Sequence, residues 1–357
     1  MTNVAFYAPM KPPTHPVPSG DRAMGRAILQ ALRYGNIQAD LVSTLQTVDK
    51  QGNAQTQERL FAAAEAEASR LIEQGRRSDW QVWITYHSYY KAPDLVGPRV
   101  AAGLNLPYFQ IEATRARKRL TGPWAAFAQA AEAASDAADA IFHLTRRDAE
   151  ALYAYKRPNQ KIIHLRPFLA RAVLPPASPS NGAMLSVGML RHGDKFASYE
   201  LIADTLDLLK TADWRLVIAG DGPALSAVAS MMHRFGDQVE LRGSLNAEAL
   251  SAAYGEASLL FWPGVNEAFG VTYLEAQAAG LPVVAQHRPG VIDVLAPGTY
   301  PLPEEGAEAL AVELDLLLKD RCERIRRGQA AREHIAAHHL ITGASDVLCG
   351  AIAEALT

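Results

Sequence analysis

A chain of 357 residues, 49% hydrophobic and 20% charged, is long enough for two domains, each with its own core. A formal net charge of -3 gives no support to nucleic-acid binding driven by bulk attraction. Two cysteines, Cys322 and Cys349, exclude a disulfide framework or a cysteine-rich zinc site and fit a reducing cytoplasm.

The chain runs directly into the strand-like VAFYA without a basic leader. No apolar run approaches the length of a bilayer span, so any membrane contact is expected to be peripheral. Residues 1–170 read as a first α/β domain. Residues 4–8 form a short buried strand, followed by the Pro-rich loop MKPPTHPVPSG and a helix over 21–34 that Gly35 ends. Ser19 and Gly20 stand where a helix cap belongs, so this loop is a candidate to face a ligand, and Arg22 is the residue placed to reach an anion. The Ala- and Glu-rich run 55–74 reads as a structural amphipathic helix. Strands then follow at 80–86, leading to His87, and at 106–111, leading to Glu112. Strand ends are favoured places for ligand contacts.

Arg115, Arg117, Lys118 and Arg119, followed by Trp124 and Phe127, form a basic patch beside aromatics. That pattern suits an anionic acceptor or an anionic membrane surface, and it suits a solvated helix start or loop better. A small-residue helix over 125–140, a strand over 140–144, a helix capped by Thr145 and a strand over 161–165 complete the domain. The proline-rich RPFLARAVLPPASPSNG then reads as a linker.

The second domain, residues 171–340, opens with a strand over 184–187 and continues GMLRHGDKFASYELIADTLDLL. A strand over 214–219, the turn Gly220-Asp221-Gly222-Pro223, a strand over 239–242 and a helix over 247–254 keep the alternation that a parallel sheet requires. Residues 257–262 form a buried strand ending at Pro263 and Gly264, a helix runs from about Gly270 to Gly280, and 281–285 is the next strand. His287 and Arg288 follow in a loop near the site. Helices are expected over 308–318, 321–337 and 344–356. His334, His338 and His339 have helical spacing but bring no carboxylate or cysteine, and no metal site is expected.

The most informative stretch is FWPGVNEAFGVTYLEAQAAGLPVVA, which places Glu267 and Glu275 eight positions apart across a helix start. At helical rise their side chains stand up to roughly 12 Å apart along the axis, too far to act as paired carboxylates on one bond, which need about half that distance. The free N–H groups between them form an anion site, so a ligand with a diphosphate in its middle fits, and a nucleotide sugar has that shape.

NEAFGVTYLEAQAAGLPVVA resembles the Glu-x7-Glu motif of retaining glycosyltransferases with two Rossmann-like domains, the GT-B fold, family 4 in particular. The resemblance implies two α/β domains facing across a cleft and a C-terminal helix, 341–357, crossing back to the first. It implies that Glu267 approaches hydroxyls of the donor sugar, that Ala268, Phe269, Gly270, Val271 and Thr272 meet the diphosphate, and that Glu275 holds the ribose. The backbone at Leu245 would meet the base. An arginine and a lysine usually clamp the diphosphate; here Met189 takes the arginine position and Lys195 keeps the lysine, with Arg191 two residues from the gap. In the first domain Ser19-Gly20-Asp21-Arg22 stands in for a glycine-rich loop, and Glu112 occupies the place of a usual histidine; Arg22, His87 and Glu112 become acceptor-side candidates. No cofactor or metal is implied. The function implied is transfer of a sugar from a nucleotide diphosphate sugar to a hydroxyl of a glycolipid, polysaccharide or small molecule. A nucleotide-sugar hydrolase or epimerase, or a non-catalytic binding subunit, would use the same donor features.

Overall fold

The computed structural model describes residues 2–17 and 19–357; Pro18, within the expected Pro-rich loop, lies outside them. The chain folds into two compact units, Met1–Ala170 with Ile341–Thr357, and Arg171–Leu340.

The first unit alternates β1 (Asn3–Tyr7), α1 (Gly20–Tyr34), β2 (Gln38–Ser43), α2 (Ala54–Gly75), β3 (Trp80–Ser88), α3 (Gly97–Leu104), β4 (Tyr108–Ala113), α4 (Ala125–Ala137), β5 (Ala140–His143), α5 (Arg146–Ala154) and β6 (Lys161–His164). Its six strands pair in parallel in the order β2-β1-β3-β4-β5-β6. The order reverses between β1 and β3, so the loops leaving those strands open the crevice where ligands bind in such sheets.

The second unit carries β7 (Met184–Val187), α6 (Asp194–Asp207), β8 (Leu216–Ala219), α7 (Leu225–Met232), β9 (Val239–Gly243), α8 (Ala247–Glu256), β10 (Leu259–Phe261), α9 (Val271–Ala278), β11 (Val283–Val284), α10 (Gly306–Lys319) and α11 (Arg321–His338). Its sheet, β11-β10-β7-β8-β9, is also parallel throughout and reverses between β7 and β10. Lys195 stands in the first turn of α6, just past the loop after β7, and Glu267 lies within the loop after β10. The last helix, α12 (Ile341–Ala355), packs on α1 and belongs to the first unit.

The elements follow local chemistry. Ser19, Asn53, Thr145, Asn246 and Asp320 each cap a helix with a side-chain oxygen that accepts a backbone N–H. Strand ends differ from expectation where proline intervenes. β4 starts at Tyr108 rather than 106, because Pro107 has no N–H for the ladder, and β11 starts after Pro282 for the same reason. Continuous apolar strands are buried on both faces: Val4 to Tyr7 and Leu259 to Phe261 are fully inaccessible. Among the described residues no helix is long and apolar enough to cross a membrane.

Candidate active site

The second unit's site begins at Trp262, just past β10. Its indole is fully buried, stands edge-on to Tyr199 at 5.2 Å and lies beneath Lys195, whose Nζ is 5.1 Å from the ring centroid. Lys195 Nζ pairs with the Glu267 carboxylate, and Trp262 Nε1 reaches the same oxygen at 3.4 Å. Two groups that the motif assigns to different parts of a ligand therefore neutralise each other over an indole face. The loop between Trp262 and α9 is tied to the start of α6: Asn266 Nδ2 donates to Asp194 Oδ1 at 2.8 Å, and Val265 N–H donates to Ser198 Oγ at 3.0 Å. Ser198 is fully buried and donates its own hydroxyl to the Asp194 carbonyl.

Gly270 caps α9 at φ 76°, a conformation that costs other residues more, and a Cβ there would fall 2.7 Å from the Tyr273 ring. The cap therefore leaves the backbone N–H groups at the start of α9 without a side chain over them. One turn further, Glu275 accepts a 3.0 Å hydrogen bond from Tyr254, whose hydroxyl also lies 2.8 Å from Thr272 Oγ1. Burial pushes the Glu275 carboxyl above the usual range, partly offset by Tyr254 and the Arg171 charge.

Arg191 is exposed, beside the half-buried Met189. The intervening Leu190 is buried and exchanges backbone hydrogen bonds with the Gly220–Pro223 turn: Leu190 N–H donates to Asp221 O at 3.0 Å and Ala224 N–H to Leu190 O at 2.8 Å. A Cβ on Gly220 would sit 1.9 Å from the Gly188 carbonyl oxygen, so this turn's glycine serves the packing of the loop after β7. Leu245 lies partly buried after β9, next to the cap Asn246. His287 and Arg288 follow β11, with both Arg288 bonds going to Gln286 Oε1. His334 and His339 approach with their Nε2 atoms 3.2 Å apart, yet no group of three metal-binding side chains forms among the described residues.

The first unit brings together Asp21, His87 and Glu112. His87 Nδ1 lies 3.0 Å from Asp21 Oδ1 and 3.8 Å from Glu112 Oε2. His87 and Glu112 occupy neighbouring strand ends with positive φ, 59° and 58°, so each backbone is bent where its side chain enters the group. Burial disfavours charge on His87, but Glu112, Asp21 and Asp148 more than offset it, and its pKa rises to about 9. Burial raises Glu112 above the usual carboxylate range, the nearby Asp21 and Asp148 charges adding to it and His87 opposing.

Three further expected positions take these places. The Arg22 guanidinium donates to the Pro16 carbonyl at 3.1 Å, and its neighbour Asp21 meets His87. Gly20 is exposed with open space where a Cβ would be, so packing does not require glycine there. The basic patch splits: Arg119 stays over the Trp124 ring at 5.6 Å, while Arg115, Arg117 and Phe127 turn elsewhere. Arg115 is buried between Glu132 and Asp136 at 2.7 and 2.6 Å, Phe127 is fully buried, and Arg117 covers Tyr155 at 4.5 Å. The alternation of charge and ring in sequence says nothing about which side of the chain each occupies.

Known proteins resemble the two units to different degrees. Residues 184–334 match the family model described as Glycosyl transferases group 1. The sulfoquinovosyl transferase SQD2 of Arabidopsis thaliana is 32% identical over 146 residues, 38% of this chain and 27% of that protein. A D-inositol 3-phosphate glycosyltransferase of Corynebacterium efficiens is 42% identical over 89 residues, 24% of this chain and 21% of that protein. The chain thus spans about a quarter of these curated relatives. Solved structures cover the whole length. Sucrose-phosphate synthase from Thermosynechococcus elongatus superposes with a TM-score of 0.74 at 17% identity, covering 100% of this chain and 99% of that one. Anabaena HepE in complex with UDP-glucose gives 0.71 at 12% identity, covering 99% and 100%. The architecture is that of the GT-B glycosyltransferases, with two parallel α/β sheets.

Proposed function

We propose that this protein is a retaining, metal-independent glycosyltransferase of family 4 that moves a sugar from a nucleotide diphosphate sugar to an acceptor hydroxyl. The observation that carries the reading is the meeting of Lys195, Glu267 and the uncovered start of α9 at the point where the second sheet reverses. In this reading the donor diphosphate takes Lys195 and the backbone from Ala268 to Thr272, freeing Glu267 for the sugar hydroxyls. Arg191, exposed on the neighbouring loop, adds a second positive charge. Glu275, oriented by Tyr254, accepts from the ribose, and the backbone at Leu245 meets the base.

The first unit presents the acceptor, and the hydroxyl-seeking side chains of its Asp21, His87 and Glu112 group support that role. The acceptor oxygen attacks the anomeric carbon on the face that the diphosphate leaves. The carbon–oxygen bond to phosphate breaks, and the acceptor proton passes to the departing phosphate oxygen. Lys195 and the α9 start oppose the charge that builds there, an effect worth several kcal/mol, on the order of a hundredfold or more in rate. A cytoplasmic setting is part of the proposal, supported by two unpaired thiols.

Glu267→Ala is the direct test. Transfer should fall by orders of magnitude while the thermal transition is preserved, since Glu267 is partly exposed and lies in a loop. Near-normal turnover in that variant sinks the assignment. Release of free sugar or an epimer without an acceptor would instead identify a hydrolase or epimerase.

A further inference from the structure

Two cations and two aromatic rings converge on the first unit beside the Asp21, His87 and Glu112 group. Lys91 Nζ lies 5.6 Å from the Tyr90 ring centroid and 5.3 Å from that of Trp124. The Arg119 guanidinium carbon lies 5.1 and 5.6 Å from the same two rings. Tyr90 and Trp124 meet edge to face at 5.8 Å, and all four side chains are partly buried. An ammonium and a guanidinium therefore share one pair of rings despite their mutual repulsion. Among the described residues neither cation has a carboxylate partner within ion-pair distance, and Arg119 Nε is buried without a hydrogen-bond acceptor.

The frame around them is fixed by the backbone. Asp49 N–H donates to the Lys91 carbonyl at 2.9 Å, Trp124 Nε1 donates to the Asp49 carbonyl at 3.0 Å, and a bridge between Tyr89 and Ala92 closes the turn. The Asp49 carboxylate is committed elsewhere. It accepts from the N–H groups of Gln51, Gly52 and Asn53 and from Gln57 Nε2 at the start of α2. The pair of cations is thus held in place without a counter-charge of its own.

We infer that Lys91, Arg119, Tyr90 and Trp124 form a site for one anionic group, a phosphate, sulfate or carboxylate, carried by the acceptor molecule. Two like charges at one place favour an anion over any neutral occupant, the guanidinium supplying a planar fork and the ammonium a point charge. The site lies on the loops that follow β3 and β4, at the carboxyl end of the sheet, which also carries His87 and Glu112. The rings of His87, Tyr89, Tyr90 and Trp124 succeed one another at centroid separations of 5.4, 5.5 and 5.8 Å. An acceptor lying along these rings brings its anion to Lys91 and Arg119 while a hydroxyl reaches Asp21, His87 and Glu112, where the excess of acid repels the anion. The assignment to the acceptor rests on the transferase reading; the anion site itself does not.

The test follows the indole N–H resonance of Trp124, assigned through Trp124→Phe, as the full chain is titrated with inorganic phosphate at constant ionic strength. The wild type should give a saturable shift. The Lys91→Gln, Arg119→Gln double variant should bind about tenfold more weakly. Its thermal midpoint and its affinity for nucleoside diphosphates should be unchanged. A wild-type resonance that does not move, or one that moves identically in the double variant, overturns the proposal. A second arm measures retention on phosphatidylglycerol and phosphatidylcholine vesicles. Retention on the anionic vesicles that depends on both cations, with no phosphate shift in solution, assigns these residues to a lipid surface and overturns the soluble-anion site. Phosphate binding in a protein that then transfers no sugar leaves the anion site standing and removes the transferase reading.

Discussion

At His87 burial and charge pull in opposite directions, and charge wins. Desolvation alone would favour the neutral ring, but the surrounding carboxylates raise its pKa from 6.5 to about 9. The folded state therefore binds the proton more tightly than the unfolded chain. The resulting stability is fully present below about pH 6.5 and is lost as pH rises through about 9. Its size is at most on the order of 3 kcal/mol. Denaturant unfolding across that window should show wild-type stability falling with pH. The His87→Asn curve should be flatter, asparagine being among the residues that tolerate the positive φ. Parallel curves would mean that the imidazole is not held in its charged form. None of this is legible from residue type: the apolar runs place His87 and Glu112 at strand ends, whereas Asp21 becomes their partner only through the packing of α1 beside the sheet.

The loop that carries Glu267 keeps its shape by leaning on another element. The fully buried Ser198, on α6, accepts the N–H of the partly buried Val265 in that loop. Ser198→Ala leaves this N–H without its acceptor, at a cost of about 1–3 kcal/mol. The variant should melt lower and bind the donor more weakly, as read by thermal shift with and without nucleotide diphosphate sugars. An unchanged donor affinity would show that the loop holds Glu267 without help from α6. Most elements are readable in the sequence because their signals are local. The runs at β7, β8 and β10 are continuous apolar stretches bounded by glycine or proline, and the helices announce themselves with caps. β2 escapes such a reading: it lies at the sheet edge and grades from exposed to buried, without a clean alternation. α3 escapes it because eight residues with an early proline carry little helical period. The Glu267 and Glu275 spacing is legible as a string, yet the pairing of Lys195 with Glu267 joins positions far apart in the chain, which no spacing rule reaches.

On the scale of the molecule, the first unit is completed by the end of the chain. α12 buries Ile341, Leu348 and Ile352 against it, and Gly35 abuts the helix so closely that a Cβ would fall 2.1 Å from Cys349 Sγ. Lys161 on β6 pairs with Glu354 at 2.5 Å. Burying three large aliphatic side chains contributes on the order of 5 kcal/mol or more, comparable to the net stability of a domain. Removal of residues 341–357 should therefore unfold or loosen the first unit while the second keeps its transition and its affinity for nucleoside diphosphates. Calorimetry resolves the two. A truncated chain whose first unit melts at the wild-type temperature would show that α12 is dispensable.

Because α12 is the last described helix to leave the ribosome, the unit synthesised first is the one that waits longest for its missing piece, while all of the second unit has already emerged. During that interval α1 exposes the apolar surface that Leu348 and Ile352 later cover. On the proposed function, the second unit can meet a nucleotide before the first is finished, so donor binding alone would not certify a complete molecule. Loss of residues 341–357, by clipping, would leave the second unit whole beside an incomplete first one and, on the proposed function, a protein that binds donor without transferring its sugar.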